Sequence, residues 1–469
     1  MKNKVTRESI DLQFAKTLKE SEYYTTGGVV YKWTGSHYQA QTQLNLENAA
    51  LNFLIENFRD KATANKARAC TALLRAFLPK LPISQITDAC IPTETQYIAV
   101  GCEGDAMGVK SLMPPDKNRA MTYAINCDFD EKRNFEGSKF QKFIEQILPD
   151  TEIRQLVQEY IGYSLQSKLN YQVMQLWLGS GKNGKSTLLD IVCQLHQKTC
   201  ALELDRLDPQ HLPNVIGASL CFSDEVPKSG INEQKLKMLI SGGVVEVKIL
   251  YKDPVSYASH RKFIVCANHF PKVKDQSNGF WRRQQIIPFN AKIEKPDPLL
   301  AKNIITNELN VVLNWAIEGL IQLIKRGQFI VPKAVHDAIE EAKTSTDSVR
   351  SWIKDTGLIV SMRSPMRYEW KQGFYKCDEK FLNDEGHYEA NQKFDRSYIG
   401  WCKANGNSPV SQKEFWSRIA AYFKESGAEF TESTNRIIKG DAWSNGSNYC
   451  DRRRRRVNLM QLDPCAIPF

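Results

Sequence analysis

The sequence has no run of 18 apolar residues, so no segment has the length of a membrane-spanning helix, and no membrane partner is expected. Its opening residues, Met1 to Glu8, carry charge with no apolar stretch behind it, which is not the pattern of a secretory signal. The 12 cysteines include no C-x-x-C pair, and no cysteine–histidine cluster has zinc spacing, which excludes zinc-ribbon modules. Cys193, Cys221 and Cys266 fall inside apolar patterns and read as small core residues, as expected of a protein in a reducing cytoplasm. No internal repeat is present. Positive charge is not scarce. The net charge of +10 permits a nucleic-acid partner without requiring one. At 469 residues the chain exceeds one ordinary core and calls for two to four domains.

What is present most clearly is a phosphate-binding loop of the form G-x-x-x-x-G-K-[ST]: Gly179, Ser180, Gly181, Lys182, Asn183, Gly184, Lys185 and Ser186. The apolar run Val173 to Leu178 before it reads as a buried strand, and Thr187 to Val192 after it as an amphipathic helix. The chemistry needs that order. Glycines let backbone N–H groups close around phosphates, and the helix N-terminus adds partial positive charge. Lys185 is placed to reach the β- and γ-phosphates of ATP, and the Ser186 hydroxyl to ligate Mg²⁺.

The residues downstream narrow the class. Ser219 to Ser223 reads as a strand, expected beside the loop strand, that ends in the carboxylates Asp224 and Glu225. Asp224 suits the Mg²⁺ shell and Glu225 the attacking water; two solvated acids in a turn would be the plainer reading. A second strand, Lys262 to Ala267, ends in Asn268, a candidate γ-phosphate sensor, although capping is the commoner role of a lone Asn. Then comes Gly279-Phe280-Trp281-Arg282-Arg283 before a further strand. Either arginine could reach a neighbouring subunit's nucleotide, and either could be an ordinary surface arginine.

This ordered set, GSGKNGKS at 179–186, SDE at 223–225, Asn268 and GFWRR at 279–283, resembles the superfamily 3 helicases. More closely, it resembles the C-terminal helicase half of phage and plasmid primase-helicases, relatives of the poxvirus primase-helicase. Glu159 to Leu165, Ser241-Gly242-Gly243 and Asn314 to Gly319 extend the likeness, which covers about residues 45–345 well and the tail loosely. The resemblance implies an AAA+-like core that forms a homo-oligomeric ring, a hexamer, and translocates on single-stranded DNA, typically 3′ to 5′. It assigns Lys185 and Ser186 to the loop lysine and metal ligand, Asp224 and Glu225 to the acidic motif, Asn268 to the sensor, and Arg283 or Arg282 to the finger. It also places a DNA-gripping hairpin at Val244 to Pro254, where Lys248 and Lys252 would hold phosphates and Tyr251 would stack on a base.

The expected fold is α/β, an AAA+-like P-loop NTPase core with a parallel sheet, a mostly helical N-terminal domain and a C-terminal winged-helix-like domain. The expected divisions are a hairpin segment at 1–45, a pre-helicase α+β domain at 46–150, the ATPase domain at 151–330, and a DNA-binding region at 331–469. In the last, Lys413, Arg418 and Lys424 lie opposite an apolar helical stripe. Arg452, Arg453, Arg454, Arg455 and Arg456 form either a phosphate-binding run or a solvated one. Asp128-Phe129-Asp130 spells a primase-like metal pair. Its place in the resembled pre-helicase domain and the order of His37 make it structural, so no primase activity is expected and a separate primase is a possible partner. The chain then reads as a helicase-only version or a truncated product of a longer gene. The leading reading is a replicative DNA helicase. An ATP-switched DNA-binding initiator without sustained unwinding is the alternative, and a small-molecule kinase the third.

Overall fold

The computed structural model describes residues 8–84, 89–103, 106–166, 171–226, 230–248, 254–258, 261–271, 273–356, 358–360, 366–369, 373–376, 398–425, 433–434, 455–457 and 459–461. It divides into two compact units, Met1–Ile339 and Glu340–Phe469.

The first unit opens with α1 (Ile10–Glu20), capped by Ser9, whose hydroxyl accepts from the Leu12 amide. An antiparallel sheet follows: β1 (Tyr23–Thr26), β2 (Val29–Trp33) and β3 (Tyr38–Ala40). The β2–β3 pair, turning at Thr34 to Ser36, is the hairpin expected within residues 1–45. Helices α2 (Gln43–Asn57), α3 (Ala64–Ala72) and α4 (Leu74–Phe77) pack with α1 through Phe14, Leu18, Leu46, Leu54, Cys70 and Leu74. A second antiparallel sheet comprises β4 (Ala89–Pro92), β5 (Tyr97–Glu103) and β6 (Ala106–Met113). The expectation of a mostly helical N-terminal domain is therefore corrected to a mixed one. The β-branched and aromatic runs from Tyr23 to Trp33 and from Ala89 to Val100 pair as strands, and most of their side chains are buried.

Two helices, α5 (Lys139–Ile147) and α6 (Thr151–Ser164), lead into the central α/β core. That core comprises β7 (Met174–Leu178), α7 (Lys185–Leu195), β8 (Thr199–Ala201), β9 (Leu220–Ser223), α8 (Glu233–Ile240), the hairpin β10 (Val244–Val247) and β11 (Val255–Ala258), then β12 (Lys262–Ala267), α9 (Asn278–Trp281) and β13 (Gln284–Pro288). Five of these strands form one parallel sheet in the order β13-β7-β12-β9-β8, flanked by helices, consistent with an AAA+-like P-loop NTPase fold. Strands β7 and β12 are buried along almost their whole length, as parallel strands covered on both faces must be.

Helices α10 (Leu300–Asn307), α11 (Leu309–Arg326) and α12 (Lys333–Thr346) follow. Helices α6 and α11 meet at two glycines. A Cβ on Gly162 would lie 2.1 Å from the Ala316 carbonyl oxygen, and one on Gly319 would lie 2.6 Å from that of Gln158. Only glycine permits this approach, which seats Trp315, Ile317 and Leu320 in the main core beneath the sheet's helices. The buried Glu159 pairs with Arg326 across the same contact.

The second unit holds α13 (Ser348–Thr356), β14 (Leu358–Val360), β15 (Met366–Glu369), β16 (Gly373–Lys376), α14 (Tyr398–Ala404), α15 (Gln412–Glu425), β17 (Ser433–Thr434), β18 (Arg455–Val457) and β19 (Leu459–Gln461). Its core is Trp352, Ile353, Tyr398, Cys402, Phe415 and Ile419. Its strands pair as β14-β19 and β16-β15-β18-β17.

Candidate nucleotide site and its opposite edge

The loop between β7 and α7 is built around conformations and clearances that select its glycines. Gly181 and Gly184 have φ of +99° and +80°, and Lys182 between them is also left-handed at +52°. A side chain on Gly179 would come within 2.4 Å of the Phe289 carbonyl oxygen, and one on Gly184 within 2.5 Å of Ile147. Asn183 is buried and donates to the Phe289 carbonyl at 3.0 Å, while the Gly179 amide donates to Ala267 at 3.1 Å. The loop is thus tied to the ends of both strands that flank β7. Lys185 is buried at 5% exposure, its ammonium donating to the Gly179 carbonyl at 2.7 Å and to Asn183 Oδ1 at 2.9 Å. Burial lowers its pKa, with Cys266 and Asp224 pulling the other way. A phosphate would replace two neutral acceptors with a charged one, which favours the ammonium form.

Asp224 and Glu225 stand exposed just beyond β9. The Ser186 hydroxyl donates to Asp224 Oδ1 at 3.3 Å, so loop and acid converge. The acid strand is not beside the loop strand, however. Strand β12 lies between them, with Ile264 paired to Gln175 on one side and Phe222 on the other. The expectation of adjacent strands fails because strand order depends on long-range crossovers, which local pattern does not encode. The insertion brings Asn268, exposed after β12, to the same carboxyl edge as the loop and the acids. Polar residues at the carboxyl ends of parallel strands are where such sheets bind ligands. Mg²⁺ fits this donor set, a hydroxyl and a carboxylate already in contact, open on one side. Asp190 on α7 also faces the cluster; burial, then Asp224, raises its pKa.

Arg282 and Arg283 lie at the other edge. Gln284, which follows them, pairs with Met174 at the start of β7, and Pro288 pairs with Leu178 beside the loop. Five strand residues separate them from the chain's own phosphate loop, roughly 17 Å. The two arginines differ. Arg283 is half-buried and donates to Ser241 Oγ at 3.0 Å, to Gln172 Oε1 at 3.3 Å and to the Gly279 carbonyl. Arg282 is exposed, and its side chain forms no hydrogen bond or ion pair among the described residues. The hairpin β10–β11 springs from this same edge, since β12 begins directly after it. Lys248 is exposed at its end and its amide donates to Pro209 at 2.8 Å. Tyr251 and Lys252 lie outside the described residues.

Asp128 accepts from the hydroxyls of Thr93 and Thr95, and Asp130 from the Lys132 amide. Asn310 and Asn314 hold the carbonyls of Asp128 and Asp130, so this segment is docked against α11. In the second unit Ser411 caps α15, accepting from the Glu414 amide at 3.3 Å. Arg418, placed from sequence on the face opposite the apolar stripe, pairs with the buried Asp347 at 3.0 Å and with Glu414. A buried carboxylate needs such a partner. Arg455 and Arg456 sit on β18, paired to Thr434 and Ser433. Arg452, Arg453 and Arg454, and the side chain of Lys424, lie outside what is described. Sequence reading missed Lys237 and Asp275, which bridge at 2.5 Å; 38 residues apart in the chain, they share no local pattern.

A family of unknown function, DUF5906, matches residues 177–283, the span from the loop strand to Arg283. "Putative helicase L207/L206" of Acanthamoeba polyphaga mimivirus is 26% identical over 185 residues, 36% of this chain and 19% of that protein. "Putative primase C962R" of African swine fever virus is 24% identical over 168 residues, 33% of this chain and 18% of that protein. The matched segment thus spans less than a fifth of either relative. Among solved structures, the apo C-terminal region of NrS-1 (305–718) aligns over 96% of this chain and 100% of that one, at 12% identity and a TM-score of 0.49.

Proposed function

We propose that the chain is an ATP-driven DNA helicase of superfamily 3 type, acting in phage- or plasmid-type replication as a ring on single-stranded DNA. The observation that carries this reading is the split between the two edges of one sheet. Loop, acids and Asn268 share the carboxyl edge, while an unengaged arginine and a hairpin share the amino edge, too far away to serve the same chain's nucleotide. A site divided in this way is completed by a neighbour, so a closed ring, taken by resemblance as a hexamer, is the natural assembly. Of the two viral relatives, the mimivirus protein's name, putative helicase, supports the reading over the matched segment, and both names belong to replication enzymes.

In this reading Lys185 leaves the Gly179 carbonyl and Asn183 to hold the β- and γ-phosphates of ATP, and the backbone amides of 179–187 surround them. Ser186 and Asp224 hold Mg²⁺, which when bound offsets charge on the phosphate oxygens. Glu225 orients water and accepts its proton as water attacks the γ-phosphorus and the bond to ADP breaks. Asn268 positions the γ-phosphate or that water. Arg282 reaches the adjoining subunit's nucleotide as the finger, with Arg283 beside it holding the segment. Lys248, Tyr251 and Lys252 grip single-stranded DNA, and Arg452 to Arg456 add phosphate contacts.

The deciding experiment is ATPase activity with and without single-stranded DNA. Stimulation by DNA, with strand displacement on a forked duplex, supports the motor. Hydrolysis indifferent to DNA turns the reading toward an initiator switch or a small-molecule kinase.

A further inference from the structure

Ser241-Gly242-Gly243, at the foot of the hairpin, has no role in the nucleotide chemistry proposed above. Yet this corner is fastened to the arginine segment at three points. Arg283 Nε donates to Ser241 Oγ at 3.0 Å. Lys237, on the last turn of α8, bridges Asp275 at 2.5 Å. Glu233, on the first turn of α8, accepts from the Lys274 amide at 2.7 Å. Residues 274–283 are therefore attached along the length of α8, and α8 leads through Gly242 (φ +73°) and Gly243 directly into β10. The Gly243 amide donates to the Met238 carbonyl at 2.9 Å, which closes the corner tightly onto α8. The other end of α8 connects back toward Asp224 and Glu225, by way of residues 227–229, which are not described.

We propose that α8 and the segment 274–283 form one clamp that carries motion between the interfacial arginine and the DNA hairpin, with Arg283 as its positioning residue. The proposal rests on the ring-ATPase reading. Arg282 is covalently next to Arg283, so a pull on Arg282 by the adjoining subunit's γ-phosphate is delivered to Ser241, the residue at which the hairpin begins. Gly28 closes the opposite side of the hairpin: a Cβ there would lie 2.8 Å from Val255 Cγ1, so the return strand β11 rests on the β1–β2 turn. A hairpin seated on one side and clamped on the other moves with the clamp. The clamp's bonds involve neither the phosphate loop nor the DNA tip, so breaking them should separate hydrolysis from its response to DNA.

The test compares the full chain with Ser241→Ala, Asp275→Ala and the charge-swapped Lys237→Asp/Asp275→Lys, using oligo(dT) as the DNA. Basal ATPase and oligo(dT) affinity are measured beside DNA-stimulated ATPase. Ser241→Ala and Asp275→Ala are expected to keep basal turnover and oligo(dT) affinity within about twofold while losing most of the stimulation, at least fivefold. The charge-swapped pair is expected to recover it. Full stimulation in both single variants overturns the clamp, as does a parallel fall of basal and stimulated rates. If Asp275→Ala fails to fold, Ser241→Ala, which removes one hydroxyl, decides alone. A wild-type protein without any DNA stimulation would overturn the ring-ATPase reading and the clamp together, whereas stimulation untouched by the variants would remove the clamp alone.

Discussion

The two edges of the central sheet carry opposite kinds of charge chemistry. At the carboxyl edge every polar group converges: Lys185 on the loop, Ser186 on Asp224, and Asn268 beside them. At the amino edge the polar groups lead away from the sheet, Arg283 and Lys237 into a clamp and Arg282 into solvent. Each edge even holds a buried lysine. Lys185 is hydrogen-bonded by groups that a phosphate can displace, whereas Lys262 at the start of β12 lies over the Tyr163 ring at 4.1 Å. The difference teaches that a lysine's burial does not itself mark a ligand site. What marks it is an arrangement of acceptors that can be exchanged for a charged one at little structural cost.

The comparison breaks most visibly at the carboxyl edge. Lys185→Ala should lose nucleotide binding, and Glu225→Gln should bind ATP yet turn it over about 10³-fold more slowly, since electrostatic groups of this kind contribute that order of rate. Binding of a fluorescent ATP analogue beside steady-state ATPase checks both. Near-normal turnover in Glu225→Gln would move the lytic role to another residue.

The next effect tests whether the amino edge serves a neighbour. Arg282→Ala alone should lower ATPase about 10²- to 10³-fold, as removal of a finger does. Mixed with Lys185→Ala it should regain part of the activity, because some interfaces then pair an intact loop with an intact Arg282. A mixture that stays inactive while light scattering shows mixed rings would make Arg282 a surface residue.

A smaller effect separates the hairpin from the nucleotide site. Lys248→Ala with Lys252→Ala should weaken single-stranded DNA binding about tenfold, and each phosphate left without its lysine should lower the salt slope by about 0.7. Basal ATPase should hold. An unchanged slope in a titration over salt would leave these lysines merely solvated.

The carboxyl edge was legible in the sequence because its signals are local. Strand, glycine loop and helix lie within some twenty consecutive residues, and each acid or amide follows an apolar run that ends where it begins. The placement of β12 between β7 and β9 was not legible, since nothing in Lys262 to Ala267 states which strands it will join. In the N-terminal region the hairpin was legible because its turn residues are adjacent, whereas the α+β reading of 46–150 carried no strand pairing, which is long-range. The contrast between Arg282 and Arg283 was invisible for the same reason: Ser241, Gln172 and Arg283 meet only in the folded chain. The glycines at 162 and 319 were noticed as part of a resemblance, and their physical reason, the contact of α6 with α11, needed the structure.

The last prediction leaves turnover alone and concerns stability. Burial, then the neighbouring Arg261, depresses the Lys262 ammonium to a pKa of about 7. In the unfolded chain the same group titrates near ~10.4. Between those values the unfolded state binds more protons than the folded one, so stability rises with pH through that window. Below pH ~7 both states are charged, and the cost of burying the ammonium is present, partly offset by its contacts, the Tyr163 ring among them. Lys262→Met should therefore stabilise the protein by about 1–2 kcal/mol below neutral pH, with the gain shrinking toward pH 10, while ATPase changes little. Urea denaturation of both proteins at pH 6.5 and 9.5 measures the difference, in which the other titrating groups cancel. The corresponding Lys185→Met change at the opposite edge should abolish nucleotide binding, because there the ammonium has a ligand to meet. A Lys262→Met protein that is less stable at pH 6.5 would mean that the ammonium's contacts outweigh desolvation, and the two buried lysines would then differ in partner but not in net worth.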